Sequence, residues 1–344
     1  MAYITLNKTH FFNNLDIIAQ LTCAKDKIAL VLKDNAYGHG LLEIAQLAQE
    51  YGITKVVVRS NAEAEAIEHL FEYILVLGDT SQKPSEKIRY TINDIAQIEK
   101  FARGIKVELK VNSGMNRNGV EMDELATAFK MIQVQGLELE AVFTHHSSAD
   151  EESEFYELQK SNFEQIKKEA KALANEYDVG TLRFHSCNSA ALFREEKLED
   201  DMVRVGIAAY GCMELENSQA QKRLRPILSL YAQKISSRLL KEGECVGYSA
   251  TYKADVKCVV SNYDCGYGDG FLRTCSNEYV TPQNIHIAGR ISMDNSSFLS
   301  EAEELLIFND ARVAAKYAKT ISYEVLTSLK AYIKRKIIAD EVKR

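Results

Sequence analysis

Short apolar runs alternate with amphipathic stretches through the first two thirds of this chain. The runs Ile28–Leu32, Lys55–Val58, Tyr73–Leu77, Ile88–Thr91, Lys106–Val111, Glu138–Thr144, Leu182–His185 and Met202–Val205 predict eight strands. Between them, Asn61–Leu70, Asn93–Phe101, Glu121–Ile132 and Glu152–Tyr177 carry helical periodicity. Strands that alternate with helices imply right-handed βαβ units and a parallel sheet. Eight such repeats predict a (β/α)8 barrel, whose chemistry sits in the loops after the strands' C-terminal ends. A doubly wound open sheet is the alternative. Chemical candidates that follow several different strands favour the barrel. Around Pro226 the texture changes. Leu228–Leu239, Glu244–Tyr248, Val256–Val260 and Asn284–Ala288 read as strands punctuated by Gly, Asn and Asp, and helical patterns return at Ala311–Lys319 and Tyr323–Lys336. The expected fold class is therefore α/β: an N-terminal TIM-like barrel over residues 1–225, followed by a mainly β domain over 226–344, with no low-complexity linker between them.

Composition narrows the class of function. The 344 residues carry a net charge of −7 with no basic block, which argues against a nucleic-acid partner. The N-terminal stretch has no signal-peptide core, and no apolar run approaches a membrane span. Seven cysteines, an odd number with no C-x-x-C pair, point to reduced thiols in a cytoplasm rather than a disulfide frame or a zinc site.

The chemistry-bearing residues follow the predicted strands. In VLKDNAYGHG, Val31–Gly40, Lys33 ends an apolar run and a polar, Gly-rich loop follows before a helical segment from Leu41 to Gln49. A lysine at a strand's mouth loses charge easily and can form a Schiff base with an aldehyde; taken alone it is far more often a solvated loop lysine. Tyr37 stands four residues on. Lys110 shares a face with Lys106 and Glu108, where an unpaired lysine inside a barrel is costly. Arg117 lies on a Gly-flanked loop and can clamp an anion, or simply be solvated. His145 and His146 end the next predicted strand and face opposite ways. Ser189 opens a helix after the seventh strand, and Gly206 and Ile207 follow the eighth, positions where barrel enzymes hold phosphate. Gly206 lets such a group approach the backbone.

Together these stretches identify a resemblance. K-x-N-A-Y-G-H-G from Lys33 resembles the pyridoxal 5'-phosphate (PLP) attachment site of the alanine racemases. Asn112–Gly119 resembles the family's D-T-G-M-x-R-x-G with Asn112 in place of Asp, Thr144-His145 its T-H motif, Asn188–Ala191 its N-S-A-A, and Met202–Gly211 its M-V-R-x-G-I-x-x-Y-G with Val205 in place of proline. Farther on, Gly247–Tyr252 resembles G-Y-x-x-T-Y, Gly266–Gly270 resembles G-Y-x-D-G, and Gly289–Asp294 resembles G-R-x-x-M-D. The resemblance runs in family order from Lys33 to Glu324 and weakens in Tyr332–Arg335, where a further active-site tyrosine of some members is replaced by Ala331.

The resemblance implies a fold-type III PLP enzyme that interconverts L- and D-alanine. Lys33 would be the D-specific base and Tyr248 the L-specific base. Tyr37, Ser189, Gly206 and Ile207 would grip the cofactor phosphate, Arg204 would face the pyridine nitrogen, and His145 would hydrogen-bond Arg204. Arg117 and the Met293 N–H would bind the substrate, Lys110 would be carbamylated, Tyr267 would line the entrance, and Asp294 closes the last motif. It further implies a head-to-tail homodimer in which Tyr248 and Met293 complete the partner's site, and a supply of D-alanine for peptidoglycan. A broader-range racemase, another fold-type III enzyme and a non-catalytic PLP carrier are the other readings. Carriers resemble the barrel alone, and the second domain with Tyr248 argues against that one.

Overall fold

The computed structural model describes residues 1–195, 197–215 and 218–340. Its eight parallel strands are Ile28–Val31, Lys55–Val58, Tyr73–Val76, Ile88–Ile92, Lys106–Lys110, Glu138–Phe143, Arg183–His185 and Val203–Val205. Each pairs with the next as far as the seventh, and the eighth pairs back onto the first. The remaining seam, between the seventh and eighth strands, is bridged by backbone bonds from Asp201 to Phe184 and from Arg204 to Cys187. The predicted barrel is thus present and nearly closed.

The strands read as near-continuous apolar runs because both faces are buried. Ala29, Val31, Val57, Tyr73, Leu75 and Met202 form an inner cluster. Their alternates, among them Ile28, Leu30, Val56 and Ile74, belong to the larger core shared with the surrounding helices. Glu154–Glu176, the longest helix, lays Tyr156, Phe163, Ile166 and Ala170 against that core.

The β-rich second domain holds a six-stranded sheet in the order Ser296–Phe298, Cys258–Tyr263, Leu228–Leu240, Tyr3–Asn7, Lys334–Ile338, with Glu304–Phe308 also paired to Leu228–Leu240. The chain's first strand therefore lies in this sheet. Two expectations are corrected here. The helix expected over Tyr323–Lys336 is only Ser322–Ser328, and the residues after it form strand Lys334–Ile338, paired in parallel with Tyr3–Asn7. Tertiary pairing overrides the helical periodicity there. The strand expected over Asn284–Ala288 is reduced to isolated bridges, His286 to Val280 and Ile287 to Phe298. All seven cysteines are free, and no helix among the described residues is long and apolar enough to cross a membrane.

One local feature departs from the expected loop. After Lys33 the backbone turns left-handed for four residues: Asp34, Asn35, Ala36 and Tyr37 have φ of 54, 57, 51 and 52°. Left-handed conformation costs about 1–2 kcal/mol per non-glycine residue, so something must hold it. Ala36 N–H donates to Leu32 O at 2.8 Å, and Gly40 N–H to Asn35 O at 3.0 Å. The Asn35 side chain accepts from Leu41 N–H at 2.8 Å, which starts helix Leu41–Tyr51. Arg335, from the second domain, donates to Gly38 O at 2.7 Å.

His39 is the inner clamp. Its Nδ1–H donates to Ala36 O and Tyr37 O at 2.9 and 3.0 Å, and its ring stacks on Tyr210 at 4.3 Å. Burial pushes His39 down to about 4, so it folds neutral. Because that lies below the unfolded value of about 6.5, the stability it contributes is complete above that pH and is lost as pH falls toward 4, by roughly 3 kcal/mol. Urea unfolding at pH 7 and pH 4 should show this loss, and His39→Asn, which keeps the donor, should reduce it. An identical pH dependence in both proteins would rule the clamp out as its source.

Candidate active site

Strand parity decides which side chains reach the barrel axis. Ala29 and Val31 belong to the inner cluster, and Lys33 continues their face at the strand's end. On the fifth strand the same rule sends Glu108 and Lys110 inward, and both are buried. Phe143 and His185 meet inside, stacked at 4.6 Å, and the Arg204 guanidinium sits 5.0 Å from the Phe143 ring.

The result is a cluster of cations at the mouth. Burial, reinforced by Arg117, Arg204 and Lys33, pushes the Lys110 ammonium down to about 8. Burial, with Arg204, Lys110 and Arg117, holds His145 well below the usual histidine range. No carboxylate is among the principal groups acting on either side chain. The nearby ion pairs, Arg183–Glu108 and Arg183–Glu140, leave Lys110 out. His146 faces the other way, its ring edge-on to Tyr156 at 5.1 Å on the outer helix, as the alternation requires.

Arg204 is buried and held by the chain around it. Nη2 donates to Thr144 O at 2.7 Å and to Ser186 O at 3.3 Å, while Nη1 reaches His185 Nδ1 and His185 O. Its Nε–H bonds no group among the described residues. Arg117 is exposed on the loop after the fifth strand. Asn112 organises that loop: Oδ1 accepts from Gly114 and Asn116 N–H, each at 3.0 Å, and Nδ2 donates to Asn116 Oδ1 at 2.8 Å and to the Glu121 carboxylate at 3.0 Å. An aspartate could not donate to Glu121. The asparagine is thus matched to a carboxylate supplied nine residues later.

On the seam side, Asn188 caps helix Ser189–Arg194, and Ser189 Oγ accepts from Gly206 N–H at 3.1 Å. A Cβ on Gly206 would come within 2.8 Å of the Tyr37 hydroxyl oxygen. Ile207 N–H donates to no group among the described residues. Tyr37 itself is wedged between Tyr210 and Tyr323, ring centroids 5.3 and 5.7 Å away. Tyr323, Glu108 and His185 are neighbours of this site that the sequence motifs do not mark. Tyr323 reaches Tyr37 only because the second domain packs on the left-handed turn. Glu108 and His185 share inward parity with Lys110 and Arg204, a signal that the sequence does carry. Ala331 is exposed, and its carbonyl accepts from Arg335.

The other sequence candidates form a separate patch on the second domain. Tyr248 is 64% exposed, Met293 56% and Tyr267 37%. Backbone bonds knit the patch together: Tyr267 N–H to Ser292 O at 3.0 Å and Gly268 N–H to Met293 O at 2.7 Å. Gly266 is required there, since a Cβ would lie 2.2 Å from Met293 O. Arg290 donates to Ser249 Oγ at 3.1 Å, tying in the Tyr248 turn, and Asp294 is exposed beside Met293. No hydrogen bond or ion pair among the described residues joins this patch to the barrel mouth.

Comparison with known proteins places this geometry. Residues 6–214 match the model of the alanine racemase N-terminal domain, and residues 227–337 that of the alanine racemase C-terminal domain. The chain belongs to the alanine racemase family. The alanine racemase of Campylobacter curvus is 41% identical over 340 residues, covering 98% of this chain and 100% of that protein. The alanine racemase of Nitratiruptor sp. is 41% identical over 335 residues, covering 97% and 99%. Among solved structures, alanine racemase from Clostridium difficile superposes with a TM-score of 0.89 at 26% identity, covering 98% of this chain and 96% of that one. The Bacillus anthracis alanine racemase with bound L-Ala-P gives 0.84 at 27% identity, covering 98% and 95%. Alanine racemases are isomerases, and this chain is one of that enzyme class.

Proposed function

We propose that this chain interconverts L- and D-alanine with bound PLP. The observation that carries the reading is the barrel mouth: Lys33 beside the buried cations Lys110 and Arg204, with no carboxylate among the principal groups acting on Lys110, next to a backbone cradle at Gly206–Ile207. That arrangement fits a ligand with an aldehyde and a phosphate. Ile207 N–H, without a partner among the described residues, can bind an anion, and the missing Cβ at Gly206 leaves room under the Tyr37 hydroxyl. Tyr37, Ser189, Gly206 and Ile207 would hold the phosphate, Lys33 the aldehyde, and Arg204 the ring nitrogen, with His185 holding Arg204 where the resemblance implies His145. PLP supplies an electron sink that stabilises negative charge developing at the substrate Cα.

The chain's residues then divide the work. Arg117 and the Met293 N–H hold the substrate carboxylate. Lys33 exchanges a proton with Cα on one face and Tyr248 on the other, since one base reaches only one face. Arg204 keeps its own proton, so it would hydrogen-bond the ring nitrogen without protonating it and would leave the sink shallow. Negative charge at Cα is then short-lived and reprotonation there is favoured. The exposure of Tyr248 and Met293 supports their completing the partner's site in a head-to-tail homodimer. A cytoplasmic enzyme supplying D-alanine to peptidoglycan is the corresponding cellular role.

The direct test is D-alanine formation from L-alanine by purified protein, with and without added PLP. Equilibration of both enantiomers that depends on PLP is expected. A PLP-loaded protein that makes no D-alanine but turns over larger amino acids would favour the broader-range alternative. Two residue-level results should accompany it. Gly206→Ala should weaken PLP binding by roughly tenfold or more, through overpacking against Tyr37; an unchanged affinity in absorbance titrations of apo-protein would remove Gly206 from the grip. Lys110, pushed down to about 8, holds an appreciable neutral amine for carbon dioxide to add to, and the carbamate would sit among Arg117, Arg204 and Lys33. Protein equilibrated with 13C-bicarbonate should show a carbamate resonance missing from Lys110→Ala; its absence from the parent would reject the modification.

A further inference from the structure

Arg204 has no carboxylate in direct contact among the described residues. Every bond it makes within the chain goes to a carbonyl oxygen or to His185 Nδ1. The compensating charge lies one residue deeper. His185 Nε2 is 2.9 Å from Glu108 Oε2, and both residues are fully buried. The other Glu108 oxygen accepts from Arg183 Nη2 at 2.9 Å and from the Tyr73 hydroxyl. Arg183 continues to Glu140 at 2.9 Å, and Glu140 to Arg89 at 2.9 Å. A continuous polar chain thus crosses the barrel interior from its floor to its mouth, where small barrels usually pack aliphatic layers.

The chain has a direction. Glu108 is held ionised, well into the low carboxylate range at about 2, despite its burial, chiefly by His185 and Arg183. An ionised Glu108 can only accept, so His185 Nε2 carries the proton and Nδ1 presents its lone pair to the Arg204 N–H. Phe143, stacked on His185 and under the Arg204 guanidinium, allows little rotation of either group.

We infer that Glu108 is a positioning residue that, through His185, fixes the Arg204 guanidinium at the barrel mouth, and so directs the returning proton to the amino acid rather than to the cofactor. This deepens the PLP reading above and rests on it. The competing outcome balances as follows. The proton returns to the cofactor's former aldehyde carbon, and water cleaves the carbon–nitrogen bond. Alanine leaves oxidised as pyruvate, with its new oxygen from water. The nitrogen and two electrons remain on the cofactor as pyridoxamine phosphate.

The test compares the parent with Glu108→Gln, with the charge-balanced pair Glu108→Gln/Arg183→Gln, and with Glu108→Asp. Two quantities are measured: pyridoxamine phosphate formed per racemisation turnover, and the histidine side-chain 15N spectrum of the apo-protein, with His185 assigned from His185→Asn. In the two Gln variants the transamination fraction should rise roughly tenfold, the scale of one charge-assisted hydrogen bond. His185 should change from a fixed Nε2–H form to a tautomer mixture. Glu108→Asp should recover part of both. A charge-balanced variant that folds, binds PLP and keeps the parent's fraction and His185 spectrum overturns the inference. Should Glu108→Gln alone fail to fold, the balanced pair and Glu108→Asp still decide it. A parent that takes up no PLP sinks the preceding reading instead, and the apo-protein spectrum still shows whether Glu108 sets His185.

Discussion

Lys33→Ala should lose racemase activity by about 10³-fold or more, because on the proposed mechanism it removes both the covalent hold on the cofactor and one of two bases. The loss should be specific to chemistry. Lys33 is only partly buried and makes no hydrogen bond that supports the left-handed turn, whose contacts run through Leu32, Asn35, His39 and Arg335. The variant should therefore fold and keep the phosphate cradle, binding PLP without a borohydride-trappable link. Added methylamine should restore part of the turnover by replacing the missing amine. Parent-rate racemisation by Lys33→Ala without added amine would show that the base is elsewhere.

Tyr248→Phe should be nearly as damaging, but with a side. Proton loss from L-alanine should fall far more than proton loss from D-alanine, as read by solvent-deuterium incorporation into each enantiomer. Equal losses from both would mean that Tyr248 is not a base for one face. Because Tyr248 is 64% exposed in its own chain, the same variant also tests assembly. Lys33→Ala and Tyr248→Phe proteins, each inactive, should regain activity when co-refolded. About half of the dimers would be hybrids, and each hybrid would carry one site with an intact lysine from one protomer and an intact tyrosine from the other. Recovery to about a quarter of parental activity is expected for random pairing in a twofold dimer. No recovery, with hybrids present by native mass spectrometry, would place both residues of a site in one chain.

Much of this architecture is legible in the sequence. Doubly buried parallel strands are short apolar runs, and all eight barrel runs are strands. The loops proposed to hold phosphate are legible from position, since Ser189 and Gly206 follow the seventh and eighth strands. What escapes the sequence depends on residues far apart. The Asp-Asn-Ala-Tyr segment has no glycine, so nothing local announces four left-handed residues; His39 and Arg335 impose them. Asn112 looks like a loss of charge until Glu121 supplies it. Glu108 reads as one more polar residue on a strand face, and its bond to His185 exists only once the fifth and seventh strands share an interior. Tyr323–Lys336 has helical spacing throughout, yet Tyr3–Asn7 claims its last residues as a strand.

That last pairing sets the order in which the molecule can be finished. Tyr3 pairs with Tyr231 on one side and with Lys334 on the other. Topologically the barrel is an insertion carried between two strands of the other domain's sheet. During synthesis all eight barrel strands leave the ribosome while the first strand still waits for both neighbours. The second neighbour, Lys334–Ile338, emerges only after every barrel strand and after the first neighbour, and contacts so distant in sequence form late. Arg335 travels on that closing strand, and its guanidinium secures Gly38 O. The turn that presents Lys33 is thus locked by a segment made after the whole barrel, so a nascent chain holds a complete barrel before it holds the complete proposed cofactor site.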